Sequence, residues 1–197
     1  MDSLIYKEAY NIVLSQAKPL KIKTSDDKLI ETKVLWFYKE KSDYIKLMYQ
    51  TIETENYVEA EESCDELIIC FKYIRTNEFE IFIDEPYNAS IIVSCLIFLD
   101  KYLLNDLYEK FCDQTIKYYD NNDVIDDKFF AKFPFFIIKH KLPKNSLYDT
   151  GLKSIKKLIS NQNTVAIFEE IANYFNYYEN IDQYGIMFAE MSMLKKW

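Results

Sequence analysis

Glycine is almost missing from this chain. Only Gly151 and Gly185 occur among 197 residues, where average usage of about 7% would supply roughly fourteen. A dinucleotide-binding fingerprint needs three closely spaced glycines and a P-loop needs two, because backbone that approaches a phosphate carries no side chain there. Neither can be built here. Paired cysteines are also lacking. Cys64, Cys70, Cys95 and Cys112 stand at spacings of 6, 25 and 17 with no C-x-x-C among them, so they read as reduced core residues rather than a disulfide framework or a structural zinc site. The single histidine, His140, cannot form a multi-histidine site and is expected at the surface or at a helix end.

Basic charge is in deficit, with 24 Lys and Arg against 32 Asp and Glu and a net charge of -8. That balance disfavours nucleic acid and anionic membranes as partners, since both are held by a surplus of cations. The longest apolar run, residues 89–99, is half of the roughly 20 residues needed to cross a bilayer. It is expected to be a buried helix. Residues 1–10 carry Asp2, Lys7 and Glu8 where a secretory signal needs unbroken apolar sequence, so the expected location is cytoplasmic or nuclear. The triplet Asn88-Ala89-Ser90 then reads as a helix cap at Asn88 rather than a glycosylation site.

Against these absences stand 49% hydrophobic residues, 17 Tyr and 14 Phe, enough for a packed globular core. Residues 2–16 place Leu4, Ile5, Ala9, Ile12 and Val13 at helical spacing. After Pro19, the alternation Leu20-Lys21-Ile22-Lys23 and the polar cluster Ser25-Asp26-Asp27-Lys28 predict a hairpin whose second strand is residues 29–32. Short helices follow at 34–38 and 44–49, with Trp36, Phe37, Ile45 and Met48 inward. Residues 54–63 read as irregular, with a third strand beginning at Tyr57-Val58.

From Cys64 a helix is predicted with Leu67, Ile68, Phe71 and Ile74 on one face and Asp65 and Glu66 in its first turn. A strand over 79–83 and two helices over 88–100 and 105–119 come next, the second with Leu107, Phe111, Thr115 and Ile116 on a common face. Asp120-Asn121-Asn122-Asp123 reads as a linker. Beyond it, residues 129–138 are apolar but broken at Pro134, and helices are expected over 152–159 and 164–178.

This order of elements resembles the BTB/POZ domain, the protein-interaction fold shared with Skp-type and elongin-C adaptors. Lys33-Val34-Leu35 followed by Ser42-Asp43-Tyr44-Ile45-Lys46-Leu47-Met48 is similar to the family's H-K-x-x-L and S-x-Y-F-x-x-M patterns. The stretch from Leu67 to Thr76 looks like the helix that ends F-x-Y-T-G, and the stretch from Leu96 to Leu107 resembles the A-A-x-Y-L-x-x-x-x-L helical hairpin. Three departures stand out. Thr32 replaces the usual histidine, three extra residues separate Leu35 from Ser42, and Asn77 replaces the glycine of a left-handed turn, a conformation that Asn tolerates.

The fold class expected is therefore α+β: a BTB/POZ-like small mixed sheet flanked by helices, followed by an all-helical C-terminal extension. The segments are an N-terminal amphipathic helix over 1–18, the BTB/POZ-like domain over 19–122 and a BACK-like extension over 123–197. The resemblance implies an adaptor or scaffold that self-associates and links a target to a cullin ubiquitin ligase. Leu4, Ile5, Ala9, Ile12 and Val13 would form the homodimer interface. Tyr57-Val58-Glu59 fits the family's cullin-docking pattern of a hydrophobic residue, any residue, then Glu. The alternative is a monomeric Skp-like adaptor that presents its C-terminal helices, where Phe129, Phe130, Phe133, Phe135 and Phe136 would form either a docking surface or a buried seam.

Catalysis is the less favoured class. His140 has no neighbouring Ser or Cys, and the acid pairs Asp26-Asp27, Glu61-Glu62 and Asp126-Asp127 fall in turns or at helix starts, where carboxylates act as caps. The acidic run from Asp120 lacks the glycine and the terminal glutamate of a calcium loop. No catalytic, cofactor-binding or metal-binding residue is expected, and the expected partners are proteins, with neither nucleic acid nor membrane among them.

Overall fold

The computed structural model describes residues 14–79, 89–121 and 127–160. Within them the chain is mixed α+β, a small three-stranded sheet among helices. They divide into two compact units, one of residues 14–78 with Lys101–Leu104 and the other of residue 79 with 89–100, 105–121 and 127–160. The stripe Leu4, Ile5, Ala9, Ile12 and Val13, the Asn88 cap and the helix expected over 164–178 lie outside the described residues. So does the expected strand over 79–83 apart from Phe79, which sits in a 3-10 turn.

In the first unit, β1 (Leu20–Lys23) and β2 (Leu29–Thr32) pair antiparallel with Ile22 opposite Ile30. The turn between them bends at Asp27, whose φ is 57°, a conformation that Asp accepts more readily than most residues. β3 (Val58–Glu59) joins the other side of β1 in parallel, with Ile22 opposite Val58, so the sheet order is β2-β1-β3. A 3-10 helix covers Val34–Tyr38, and α1 (Asp43–Thr54) follows. Leu35 is the buried residue of the 3-10 helix, while Trp36 and Phe37, expected inward, are half-buried. A turn of three residues can point only one of three side chains at the core.

α1 extends five residues past the expected end at Tyr49. Ser42 caps it by accepting the Ile45 N–H at 3.1 Å. The helix continues because its later polar residues face solvent and no Gly or Pro interrupts them. Next, α2 (Cys64–Thr76) opens with a capping box in which Ser63 and Glu66 exchange bonds. It closes on Asn77 in the left-handed conformation, φ 55°, which Asn tolerates better than most residues. Ile68, expected on the buried face, is 41% exposed. Cys64, Leu67, Cys70, Phe71 and Ile74 centre that face, and a residue one step from Leu67 is rotated by about 100° out of it.

The second unit holds α3 (Ala89–Lys101) up to Asp100, α4 (Asn105–Asn121), α5 (Asp127–Phe130), α6 (Phe133–Lys139) and α7 (Ser146–Ser160). α4 runs through Asp120 and Asn121, where a linker was expected, since polar residues that face water do not end a helix without a Gly or Pro. Pro134 stands in the first turn of α6, where its missing N–H costs nothing. Phe129, Phe130, Phe133 and Phe135 are buried and Phe136 half-buried. Phe129 lies 4.5 Å from the Tyr119 ring of α4, centroid to centroid. These aromatics pack within the second unit rather than between two units.

α7 begins six residues before the expected Leu152. Asn145 starts it by accepting the Tyr148 N–H at 3.1 Å, and its amide donates to Tyr108 Oη at 2.7 Å. Gly151 does not break the helix. A Cβ there would lie 2.6 Å from the Phe130 carbonyl oxygen and against the Pro134 ring, so glycine is what lets α7 approach α5 and α6.

Left-handed backbone elsewhere is carried without glycine, and at Leu103 (φ 54°) and Lys141 (φ 55°) no short polar side chain offsets the clash of Cβ with the following carbonyl. Two substitutions therefore act in opposite directions. Gly151→Ala should destabilise by about 1–3 kcal/mol through overpacking, and Leu103→Gly should stabilise by up to about 1 kcal/mol by relieving the left-handed strain. Thermal unfolding of the two variants checks both signs.

Candidate functional site

A concavity lies in the first unit, between α1 and β3. It is an open groove of about 510 Å³ lined by Tyr44, Leu47, Met48, Thr51 and Glu55 from α1 and the segment after it, and by Tyr57, Val58 and Glu59. Met48 and Val58, 5% and 8% exposed, form its floor. Leu47 (59% exposed) and Tyr57 (36%) stand at its rims.

Strand alternation explains how Tyr57-Val58-Glu59 is presented. Successive strand side chains point to opposite faces, so Val58 turns into the core while Tyr57 and Glu59 stay exposed. All three line the groove. The α1 half of the site was missed from the sequence. Its signal is Tyr44, Leu47, Met48, Thr51 and Glu55, which recur at helical spacing, although periodicity by itself places only Met48 of these inward.

Several contacts hold β3 at this wall. The Ala60 N–H donates to the Lys23 carbonyl at 2.8 Å and the Ser25 N–H to the Glu62 carbonyl at 3.0 Å. The Asp26 carboxylate, in the hairpin turn, accepts from Thr24 Oγ1 at 2.7 Å and from the Cys64 N–H at 2.9 Å, and pairs with Lys28 Nζ at 2.8 Å. The Lys28 ammonium, then the Thr24 hydroxyl and the Cys64 amide, hold its pKa well below the ordinary carboxylate value. Lys23 pairs with Asp27 at 3.0 Å and its ammonium lies 6.0 Å from the Tyr57 ring centroid. Its pKa is raised by the Asp27 hydrogen bond and charge, with smaller contributions from Tyr57 and Glu59.

At the other end of α1, the Ser42 hydroxyl donates to the Tyr102 carbonyl at 2.6 Å, and the Tyr44 and Tyr102 rings meet edge to face at 5.1 Å. Lys101 bridges Glu61 and Glu62 at 3.2 and 3.0 Å. Burial alone would lower the Lys101 pKa, but the two glutamates outweigh it and raise it.

The described members of the acid pairs are engaged structurally, and Asp126 lies outside the described residues. Asp26 and Asp27 hold the hairpin, Glu61 and Glu62 hold Lys101, and Asp127 pairs with Lys157 at 2.6 Å. The four cysteines are buried and form no disulfide. His140 caps the C-terminus of α6 and is exposed, its pKa lowered by partial burial and the adjacent Lys139. Among the described residues no group of His, Cys, Asp and Glu could hold a metal ion, and no helix is long and apolar enough to cross a membrane. No family model, no curated protein and no solved structure matches this chain.

Because the Asp26 pKa is depressed on folding, the unfolded chain binds the extra proton first. The stability that this carboxylate contributes is complete above the ordinary value of 3.8 and drains away as pH falls toward its folded value. Asp26→Asn should lower stability at neutral pH and flatten the decline below pH 4, a difference read by urea unfolding across about pH 2–7.

Proposed function

We propose that this chain is a protein-interaction adaptor of the BTB/POZ type, cytoplasmic or nuclear, that self-associates and links a target to a cullin ubiquitin ligase. The observation that carries this reading is the groove between α1 and β3, where Tyr57 and Glu59 stand exposed beside Leu47. A docked helix or loop could seat an apolar side chain on Leu47, Met48 and Tyr57 and place a donor on Glu59. Such anchors are the part of an interface that carries most of its affinity.

The order of described elements also supports the reading: hairpin, 3-10 helix, α1, third strand, α2 and the α3–α4 helical pair. The alternative Skp-like mode, in which the phenylalanines of α5 and α6 present themselves to a partner, is the weaker reading because those rings are largely buried. A binding role also fits better than catalysis, since the adjacent acids are used in holding turns and helix starts.

Binding to a purified cullin N-terminal domain tests the docking half. Leu47→Asp and Glu59→Lys should each weaken capture at least about tenfold, the loss expected of a central interface residue. Unchanged capture by both variants would overturn the site. The mass of the full chain in solution tests the other half: a dimer at micromolar concentration is expected, and a strict monomer would remove self-association while leaving the docking result standing.

A further inference from the structure

Seven acids and no Lys or Arg lie between residues 47 and 71. Five of the seven have evident structural roles. Glu53 pairs with Lys18 at 3.6 Å, Glu61 and Glu62 pair with Lys101 at 3.2 and 3.0 Å, and Asp65 and Glu66 stand in the first turn of α2, where the helix dipole favours anions. Glu55 and Glu59 are the remaining two. Both are exposed and both line the groove between α1 and β3. Among the described residues neither carboxylate enters a hydrogen bond or an ion pair. Glu59 acts only through its field on Lys23, and that ammonium is paired with Asp27 at 3.0 Å.

The end of α1 adds to this negative charge. A helix C-terminus carries a partial negative charge that a cation there offsets, yet the last turn of α1 holds no basic residue and Glu55 is its C-cap. The apolar part of the groove lies further back along the helix, where Met48 and Val58 form the floor and Leu47 stands at the rim. Leu47 and Thr54 are seven residues apart, about 10 Å at about 1.5 Å each. An extended chain covers that distance in about three residues at about 3.3 Å each.

These two parts narrow what the groove can hold. A purely apolar segment would enclose Glu55 and Glu59 without partners, at the desolvation cost of two carboxylates. An acidic segment would be repelled. A free polyamine would pair with the carboxylates but leave Leu47, Met48 and Val58 uncovered. A segment that carries both an apolar side chain and a cation meets the floor and the charged end together.

We propose that the groove takes a short extended segment of a partner protein in which an apolar side chain and a Lys or Arg stand three residues apart. The apolar side chain seats on Met48 and Val58 beside Leu47, and the cation is held by Glu55, Glu59 and the C-terminal end of α1. This rests on the docking reading of the groove and adds to it the charge and the spacing of the occupant.

NMR titration of the isotopically labelled full chain tests this with serine-based peptides of about ten residues, carrying Leu and Arg three apart, Leu alone, or Leu and Glu three apart, beside spermidine. The Leu–Arg peptide should shift the amide signals of residues 44–59 and bind about three- to tenfold more tightly than the Leu peptide, the gain expected of two exposed charge pairs. The Leu–Glu peptide should bind more weakly than both. Raising salt from about 50 mM to about 500 mM should weaken the Leu–Arg peptide severalfold and leave the Leu peptide unchanged. Glu55→Gln with Glu59→Gln should bring the Leu–Arg peptide down to the affinity of the Leu peptide, and the comparison of peptides on the native chain needs no variant. Equal binding of the Leu and Leu–Arg peptides at residues 44–59, or a folded double variant that binds as the native chain does, overturns the basic occupant and leaves the docking reading standing. Spermidine binding there as tightly as the Leu–Arg peptide overturns it in favour of a free cation. Absence of binding by every peptide also overturns it, while capture of the cullin domain decides the docking reading separately.

Discussion

One carboxylate organises the wall on which the candidate site stands. Asp26 sits in a hairpin turn, yet it collects a hydroxyl from its own strand end, an ammonium two residues on and the first amide of α2, 38 residues away. β3 consists of two residues, too few to hold a register by its own ladder. Its position is set at both ends by others: by β1 through Lys23 and Ala60, and by the turn that binds the segment leading into α2. The exposed pair Tyr57 and Glu59 therefore owes its direction to a residue that never touches the groove. The capping box at Ser63 adds to the same junction, so three otherwise orphaned amides at the start of α2 are satisfied within one small cluster.

The scarcity of glycine has a structural counterpart. Four non-glycine residues, Asp27, Asn77, Leu103 and Lys141, take positive φ among the described residues. At Asp27 and Asn77 the short polar side chains make that conformation tolerable. At Leu103 and Lys141 they do not, and the cost is met by the burial on either side: Tyr102 and Leu104 are 1% and 4% exposed, and Leu142 is 8% exposed. Glycine appears instead at Gly151, where the demand is for space between helices rather than for backbone freedom.

These features also mark what could be read from sequence. The hairpin was legible because alternation and turn chemistry agree over Leu20–Lys23 and Leu29–Thr32, and α2 because its cap, its first-turn acids and its apolar period all point the same way. Periodicity resolves a helix face to within a side chain's width and no better, which is how Ile68 was placed inside. It also says nothing about which helix meets which strand. The α1 half of the groove arises from a contact between residues 44–51 and residues 57–59 that no local signal encodes. The start of α7 at Ser146 depends on the Asn145 cap and on Gly151, whose role is set by Pro134 and Phe130 rather than by its sequence neighbours.

Net charge is the plainest case of information lost by averaging. A sum of -8 argues against anionic partners only if charge is spread evenly, and here residues 128–157 hold eight lysines and one acid, although each of the two units is acidic in sum. The groove between α1 and β3 combines a buried floor of Met48 and Val58 with the exposed Leu47, Tyr57 and Glu59, so a ligand seated there would draw on both desolvation and charge.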